Sequence, residues 1–196
     1  MAGGRLPKGK LLKVVFFLVM LLAAFFVVLF VTSIAYRVPS SAMEPTFHCA
    51  APGSGCEADR MDRVLVSRFT YRFRDPRRGD VAAFHVSASV AAACGSVAER
   101  GAVYLKRVVA LPGEHWREQD GFIYVNGKRL DEPYVERERR DQGTIPERTV
   151  PKDEYVMLGD NRSSSCDSRR WGTVPRGDLI GPVYAVYWPP GRIGFK

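Results

Sequence analysis

A lysine within an apolar segment and two short serine-containing segments are the features of this 196-residue chain that could carry out chemistry. The chain has three histidines, His48, His85 and His115, and none of them lies in a recognisable Ser-His-Asp context. A serine can instead be activated by a lysine, which is a recurring variant of the triad arrangement. The chemistry that these residue types favour is therefore acyl transfer with a lysine as general base.

Lys106 lies in the segment 104–110, which reads YLKRVVA. If this segment is a strand, alternation places Lys106 on one face with Tyr104, Val108 and Ala110. Because an ammonium group is poorly solvated among apolar neighbours, burial favours the neutral amine. A base that works at about pH 8 needs its pKa lowered by roughly 2 units from about 10.4, which corresponds to about 2.7 kcal/mol. On periodicity alone, the simpler alternative is a lysine that snorkels from an edge strand.

An apolar segment near the amino terminus is predicted to anchor the chain in a membrane. Residues 14–36 carry no charge and, as a helix with a rise of about 1.5 Å per residue, span roughly 34 Å, close to the ~30 Å hydrocarbon core. Since basic residues precede this segment, the positive-inside rule predicts a cytoplasmic tail over 1–13, a single transmembrane helix over 14–36 and an outside domain over 37–196. The basic residues are Arg5, Lys8, Lys10 and Lys13.

A cleavable signal peptide is the alternative interpretation of the same segment. Ser33 and Ala35 are small residues at the two positions that a cleavage site requires. However, the apolar run is longer than the roughly 7–15 residues of a signal-peptide core, which favours a permanent anchor.

The chain after this segment has the texture of a β protein. Short runs rich in Val, Tyr, Phe and Ile are separated by Gly, Pro and Asp turns, which predicts a mainly β domain. Asn126 and Gly127 both tolerate positive φ and predict a type I′ hairpin. Ser87–Gly101 and Asp131–Glu154 are expected to be loops. The candidate strands are Arg63–Phe73, Val81–Val86, Val103–Leu111, Phe122–Val125, Lys128–Leu130, Tyr155–Leu158 and Ile180–Trp188.

The net charge of +8 does not indicate a nucleic-acid partner. Part of this charge precedes the apolar segment, and the remainder is diluted over the rest of the chain. Nucleic-acid binding would need clustered Lys and Arg with stacking aromatic residues or a known reader motif, and the sequence has neither. The charged run over 136–140, ERERR, is interpreted as a solvated surface.

The four cysteines can form disulfides if the domain lies outside the cell. Cys49 and Cys56 flank a Pro-Gly-Ser-Gly turn and predict a short local bridge. Cys94 and Cys166 are left open, either paired or free. His48 lies beside Cys49, but the spacing matches no common zinc-ligand pattern, so no metal site is predicted.

Four segments in a fixed order resemble the sequence boxes of bacterial type I signal peptidases, which are membrane-anchored serine proteases. Pro39–Thr46, PSSAMEPT, resembles the nucleophile box, and Tyr104–Glu114, YLKRVVALPGE, resembles the lysine box. Arg78–Val81, RGDV, resembles the short structural box between them. Gly159–Arg169, GDNRSSSCDSR, resembles the last box. The resemblance implies the antiparallel β-sheet domain of that family behind a single transmembrane helix.

The resemblance also implies a role for each matching residue. Ala42 holds the position of the nucleophilic serine, and its backbone N–H is expected to be one oxyanion donor. Ser40 matches the serine whose hydroxyl is the second donor, Lys106 matches the general base, and Ser165 matches the serine that orients the lysine amine. The residues expected to support the site are Met43, Pro45, Arg107, Asp160, Asn161, Arg162, Asp167 and Arg169.

Enzymes of this family cleave signal peptides from exported preproteins at the outer face of the bacterial cytoplasmic membrane, with a Ser-Lys dyad and no metal or other cofactor. The implied partners are signal peptides, membrane phospholipid and the protein-export translocon. Because a methyl group cannot attack a carbonyl carbon, Ala42 implies a form that binds substrate without cleaving it. Two origins of Ala42 are open: deliberate inactivation of an enzyme, and a natural signal-peptide-binding protein that does not cut.

Ser41 and Ser40 are the hydroxyls closest in sequence to the missing one. In an extended segment adjacent side chains point to opposite faces, so Ser41 is expected to point away from Lys106. Ser40 shares the face of Ala42 but is displaced by roughly 6–7 Å along the strand. Neither serine is therefore expected to restore catalysis.

Overall fold

The computed structural model describes residues 8–53, 55–95 and 102–196. The helices in these ranges are α1 (Lys8–Thr32), α2 (Thr70–Phe73), α3 (Ala88–Ala93) and α4 (Ser168–Trp171). The strands are β1 (Ser33–Arg37), β2 (Arg63–Ser67), β3 (Val81–His85), β4 (Val103–Ala110), β5 (His115–Gln119), β6 (Phe122–Val125), β7 (Lys128–Arg129), β8 (Ile145–Thr149), β9 (Glu154–Leu158), β10 (Val174–Pro175), β11 (Leu179–Trp188) and β12 (Gly194–Phe195).

Helix α1 ends before the end of the predicted transmembrane segment. The helix stops at Thr32, and residues 33–36 belong to strand β1, which pairs antiparallel with β2 along its whole length. In the part of the chain that the structure describes, no helix is long and apolar enough to cross a membrane. The anchor over 14–36 therefore stays a prediction.

An antiparallel sheet forms the centre of the domain, which confirms the prediction of a mainly β fold. The strand order is β1-β2-β11-β3-β4-β9-β10, and β12 pairs with β11. The first part of β11 pairs with β3 and the second part with β2, so this strand joins the two halves of the sheet. At this junction the chain needs a glycine at position 181, because a Cβ there would lie only 1.7 Å from the Ser67 carbonyl oxygen and clash with it.

Both faces of the central sheet are buried. In β3, Ala82 and Phe84 belong to one apolar cluster, whereas Val81 and Ala83 belong to another. Since successive side chains of a strand point to opposite faces, each cluster covers one face of the sheet. Burial on both faces explains why β3 reads as a continuous apolar run.

Strand β4 carries Lys106 and changes partner along its length. Its first half pairs with β3, and pairing with β9 starts at Arg107. A bulge between Val108 and Ala110 shifts the register of the second half. Because the bulge interrupts alternation, Val109 and Ala110 both belong to a third apolar cluster. The expectation that Ala110 shares the face of Lys106 is therefore wrong.

A smaller sheet, with the order β7-β6-β5-β8, packs against the central sheet. Trp116 and Ile123 of the small sheet share the third apolar cluster with Leu158 of β9. Asn126 and Gly127 have φ values of 50° and 75° between β6 and β7, as the predicted hairpin requires. The small sheet is thus fixed to the strand that leads into the last box.

Two predicted elements have different boundaries in the structure. The strand predicted over 63–73 ends at Ser67, whose Oγ accepts a hydrogen bond from the Thr70 N–H at 3.2 Å as α2 begins. The loop predicted over 87–101 contains α3, which Ser87 caps at its amino end. Residues 96–101 of that loop lie outside the described residues.

The loop predicted over 131–154 contains strand β8, which pairs with β5. Four of the five β8 residues are exposed, so the strand carries no apolar alternation that a sequence reading could detect. Backbone pairing with β5, rather than burial of its side chains, holds this strand in place.

Both cysteine pairs form disulfides. Cys49–Cys56 confirms the bridge predicted from the turn between them. Cys94–Cys166, which the sequence left open, joins the residue after α3 to the last box and links residues 72 apart in the chain.

Loss of the Cys94–Cys166 bridge should destabilise the domain more than loss of Cys49–Cys56. A disulfide stabilises the fold by reducing the entropy of the unfolded chain. This stabilisation is roughly 4 kcal/mol for a separation of 72 residues and roughly 2 kcal/mol for 7. We expect urea unfolding to show a larger loss of unfolding free energy for Cys94→Ala/Cys166→Ala than for its matched control, Cys49→Ala/Cys56→Ala. A larger loss for the control would contradict the predicted order.

Candidate active site

The segment that resembles the nucleophile box forms a tight turn rather than an extended strand. Ser41–Met43 is a single 3-10 turn, and Ser40 before it is extended, with φ −128° and ψ 155°. The first N–H groups of such a turn have no partner within it. The Ser40 side chain, which is exposed, does not cap them. The Ala42 N–H and the Ser40 hydroxyl are therefore not used by the turn itself.

A cleft of about 370 Å³ brings the predicted reacting positions together. Ser40, Ala42 and Met43 line this cleft from the turn, and Lys106 lines it from β4. The Cys94–Cys166 disulfide also contributes to the lining. Two segments that are 64 positions apart in sequence, at Ala42 and Lys106, thus face one space.

Ser41 does not line the cleft. Its Oγ lies against Gly55 instead, since a Cβ added at Gly55 would come within 2.9 Å of that oxygen. The expected direction of Ser41 agrees with the structure, but the cause is the path of the 3-10 turn and not alternation along a strand.

A strand edge borders the cleft. Residues 103–106 of β4 pair with β3 along one edge, whereas pairing with β9 starts only at Arg107. Among the described residues, no strand occupies the other edge of 103–106. Residues 38–40, which follow β1, line the same cleft and belong to no strand, although the Val38 N–H donates to the Asp62 carbonyl oxygen at 3.0 Å. An extended peptide in the cleft would therefore lie beside a strand edge that no described strand occupies.

The Lys106 side chain is 4% exposed, which excludes the alternative of a lysine that snorkels to solvent. Burial lowers the pKa of Lys106 to about 8. The charges of Asp167 and Asp160 oppose this shift, whereas the charge of Arg169 adds to it. A large fraction of the amine is therefore neutral near pH 8, as a general base requires.

Asp160 is paired with Arg107, the residue next to Lys106. Arg107 donates from Nε and Nη2 to the two carboxylate oxygens, at 2.8 and 2.6 Å. Thr46 Oγ1 donates to the same carboxylate at 2.5 Å. Because Thr46 is the last residue of the nucleophile box, Asp160 ties that box to β4 and to the last box.

Asp167 is fully buried and is paired with Arg169, which donates from Nε and Nη2 at 2.8 Å each. The Gly159 N–H also donates to Asp167, at 3.1 Å. Burial works to raise the pKa of the Asp167 carboxyl, but the hydrogen bond and charge of Arg169 outweigh it and hold that pKa below its ordinary value. The carboxylate is thus ionised and already has a cationic partner before Lys106 is considered.

Arg162 pairs outside its own loop. It is 1% exposed and binds Glu132, and its Nε donates to the Gly159 carbonyl oxygen at 2.9 Å. Ion pairing within the last box is thus formed by Asp167 with Arg169, whereas the partner of Arg162 lies in the segment predicted to be a loop.

Ser165 lies against the turn, and it does not line the cleft. A Cβ added at Gly159 would come within 2.1 Å of Ser165 Oγ and 2.5 Å of the Ala42 carbonyl oxygen, so these groups converge. The Asn161 N–H donates to the same carbonyl at 3.2 Å. Ser165 Oγ is buried and has no hydrogen-bond partner among the described residues. Its predicted contact with the Lys106 amine stays a prediction.

Met43 and Pro45 shape the turn from the inside. Met43 is 2% exposed and packs in the same apolar cluster as Phe47 and Val66. Pro45 is half-buried between the buried Glu44 and Thr46. Neither side chain has a group that could take part in acyl transfer, as the sequence predicts.

Three residues of the site environment carried no signal in the sequence. Glu132 binds Arg162, and the Tyr134 ring lies 3.9 Å from the Arg107 guanidinium carbon. Glu118 of β5 lies 3.5 Å from an Arg169 nitrogen, and burial raises its pKa to about 7. Contacts between segments so distant in sequence have no local pattern, which is why only the structure reveals them.

The described residues contain no group of three His, Cys, Asp or Glu side chains that could hold a metal ion. His48 contacts the buried carboxylate of Glu44, and the neighbouring Cys49 is in a disulfide. Because Cys49 is joined to Cys56, neither cysteine can bind a metal ion beside His48 as a thiolate.

Replacing Lys106 with an apolar residue should stabilise the fold at neutral pH. The unfolded lysine binds its proton below about 10.5, whereas the folded one does so only below about 8, so folding a charged Lys106 costs stability at pH 7. We expect Lys106→Met to raise the unfolding free energy by up to about 3 kcal/mol at pH 7. This gain should disappear as the pH rises through 8 towards 10.5.

Urea unfolding at neutral and alkaline pH measures both effects. Lys128→Met, at an exposed lysine of β7, is the matched control and should show no such pH-dependent gain. If the unfolding free energies of the two variants change equally at both pH values, burial of Lys106 does not reduce the stability of the fold.

A side chain at position 159 should disrupt the junction between the turn and the last box. Gly159→Ala would force apart Ser165 Oγ and the Ala42 carbonyl, and such overpacking typically costs about 1–3 kcal/mol. Gly191→Ala is the control, because a Cβ there has nothing within 4 Å. Thermal or urea unfolding checks the difference, and an unaffected Gly159→Ala variant would argue against the convergence at this glycine.

Comparison with known proteins identifies the family of this chain. A model of the family described as "Signal peptidase, peptidase S26" matches residues 10–188. A probable signal peptidase I-2 from a Synechocystis species is 37% identical over 161 residues, which are 82% of this chain and 65% of the relative. A signal peptidase I from Leptolyngbya laminosa is 36% identical over 160 residues, which are 82% of this chain and 71% of the relative.

The chain spans 65% of the length of the Synechocystis relative. A solved signal peptidase I from Enterococcus faecalis V583 is 30% identical and superposes with a TM-score of 0.44, covering 56% of this chain and 97% of the other. The family match extends over all four boxes and over every residue that lines the cleft from the turn and from β4. The chain therefore belongs to the signal peptidase family, peptidase S26.

Proposed function

We propose that this chain binds the signal peptides of exported preproteins in the cleft and releases them uncut, because Ala42 occupies the nucleophile position of a Ser-Lys peptidase. The observation that carries the proposal is that Ala42 and the buried Lys106 line one cleft. Burial of a lysine lowers the stability of the fold. The position of Lys106 beside a nucleophile box that is complete except at position 42 therefore supports a catalytic origin.

With a serine at position 42, the reaction would proceed through an acyl-enzyme. The neutral Lys106 amine would take the proton of the serine hydroxyl while the oxygen attacks the scissile carbonyl. Lys106 would then donate this proton to the leaving amine, and a water molecule would hydrolyse the ester with Lys106 as base. The methyl group of Ala42 cannot begin this sequence.

The turn supplies the donors that the negative oxygen of the tetrahedral intermediate would need. The N–H of residue 42 and the Ser40 hydroxyl are both left unused by the turn. Preorganised donors of this kind typically contribute roughly 3–4 kcal/mol each in the transition state. Because these donors do not depend on the side chain at position 42, they should still bind the substrate carbonyl in the present chain.

The substrate should bind as an added strand. Its backbone would lie along the edge of β4 that precedes Arg107 and along residues 39–40, and its alternate side chains would enter the cleft. The half-buried Leu105 and Val103 narrow the space beside the strand, which favours small side chains near the scissile bond. This mode agrees with the Ala-x-Ala preference of the family.

The domain should act at the outer surface of the bacterial cytoplasmic membrane. Two apolar side chains of α1, Phe16 and Val27, are 66% and 61% exposed, which supports an anchor covered by phospholipid. Ten residue steps separate Thr32 from Ala42, at most about 36 Å even when fully extended. The cleft would then lie where a translocated signal peptide emerges, next to the protein-export translocon.

Restoring the nucleophile tests the proposal. We expect the present chain to bind a peptide with an Ala-x-Ala site without cleaving it, and Ala42→Ser to cleave it in detergent. The cleavage rate should fall as the pH drops below about 8, because protonation removes the Lys106 base. Mass spectrometry of the products identifies the bond that is cut.

Ala42→Ser/Lys106→Met is the matched control and should bind the peptide but leave it intact. If Ala42→Ser binds the peptide without cutting it, the dyad assignment is wrong and a natural binding protein becomes the better account. If the present chain does not bind the peptide, the proposed substrate is wrong.

A further inference from the structure

A second cavity lies where α1 meets the β domain. It has a volume of about 460 Å³ and is referred to here as the helix-end pocket. Val31 near the end of α1 and Ile34 in β1 line one part of it. The pocket is separate from the residues of the proposed reaction, and Tyr36 is the residue that it shares with the cleft. Its other lining residues include Arg68, Phe69, Arg72 and Ile180.

The helix-end pocket presents positive charge without a compensating acid. Arg68 and Arg72 line it, and no described residue that lines it is acidic. Neither arginine forms an ion pair with any described residue, whereas Arg74 binds Asp80 and Arg176 lies near Asp75. Two guanidinium groups without counter-ions favour an anion, and a phosphate matches their planar donor geometry.

The same pocket also has an apolar surface. Phe69, Leu179 and Ile180 also line it, and the Arg72 guanidinium carbon is 5.0 Å from the Phe69 ring centroid. Phe73, at the end of α2, is 85% exposed. An anion with an attached hydrocarbon chain would satisfy both surfaces, whereas a free inorganic anion would leave the apolar one in water.

The position of the pocket indicates the source of such a ligand. The backbone N–H of Arg68 donates to the Thr32 carbonyl oxygen at 2.9 Å. This bond fixes the segment that carries Arg68 and Arg72 at the last residue of α1. If α1 is the membrane anchor of the proposed function, this point lies at the depth of the phospholipid headgroups. Basic and aromatic side chains are favoured at that depth.

We propose that the helix-end pocket binds one anionic phospholipid, with the phosphate held by Arg68 and Arg72 and an acyl chain along Ile34 and Phe69. The inference rests on the membrane position in the proposed function. Since Tyr36 lines both cavities, the bound lipid would lie beside the entrance to the cleft and orient the domain relative to the membrane.

Native mass spectrometry of the full chain in a neutral detergent tests this site. Phosphatidylglycerol is titrated in one arm, and phosphatidylcholine with the same acyl chains in a second. A third arm adds inorganic phosphate to the phosphatidylglycerol complex. We expect retention of one phosphatidylglycerol, weaker retention of phosphatidylcholine and no displacement by inorganic phosphate. Arg68→Gln/Arg72→Gln should weaken phosphatidylglycerol binding by roughly tenfold or more, since each arginine contributes about 1 kcal/mol.

Arg129→Gln/Arg148→Gln removes the same charge from exposed positions of the small sheet and should bind phosphatidylglycerol as the unsubstituted chain does. Equal binding by both double variants, equal retention of the two lipids, or displacement by inorganic phosphate would each overturn the proposal. Cleavage by Ala42→Ser is scored separately. A chain that cleaves but binds no phosphatidylglycerol refutes the lipid site alone, and one that binds the lipid but does not cleave refutes the dyad alone.

Discussion

The burial of one lysine amine is the constraint on which the rest of this structure depends. Burial lowers the pKa of Lys106 to about 8, although two carboxylates lie close enough to oppose the shift. Each of these carboxylates is paired with an arginine, Asp160 with Arg107 and Asp167 with Arg169. The arginines reduce the field of the acids at the amine, so burial prevails and the neutral lysine is accessible near pH 8.

The same ion pairs join the segments that form the cleft. Asp160 connects β4 to the nucleophile box through Thr46, and Asp167 holds the Gly159 N–H. Gly159 in turn allows Ser165 and the Ala42 carbonyl to approach one another. The electrostatic environment of the lysine and the position of residue 42 are therefore set by one network. A change of side chain at position 42 alone would leave that network intact, because the network uses only the backbone carbonyl of this residue.

Much of this arrangement could be predicted because its signals are local. The apolar residues around Lys106 indicated a strand, although periodicity alone did not decide whether this lysine is buried. The turn between Cys49 and Cys56 indicated their bridge, and Asn126 with Gly127 indicated a hairpin. Four boxes in a fixed order then indicated the family. In each case the residues that carry the signal are neighbours in the chain, and their types have a direct conformational consequence.

The features that sequence reasoning missed depend on contacts between distant segments. The bulge after Val108 arises from the pairing of β4 with β9, and β8 forms because β5 offers it an edge. The partners of Arg162 and Cys94 lie 30 and 72 positions away, and no local pattern specifies either pairing. Such pairings depend on how the two sheets pack, which periodicity does not determine.

The protonation of Lys106 is the most direct test of the claim that burial keeps this amine neutral near pH 8. Nuclear magnetic resonance of the chain with isotope-labelled lysine side chains, assigned with Lys106→Met, follows this amine through a pH titration. We expect the Lys106 amine to titrate near pH 8, well below the ordinary value for a lysine side chain. A Lys106 amine that titrates near 10.4, as a solvated lysine does, would contradict this claim.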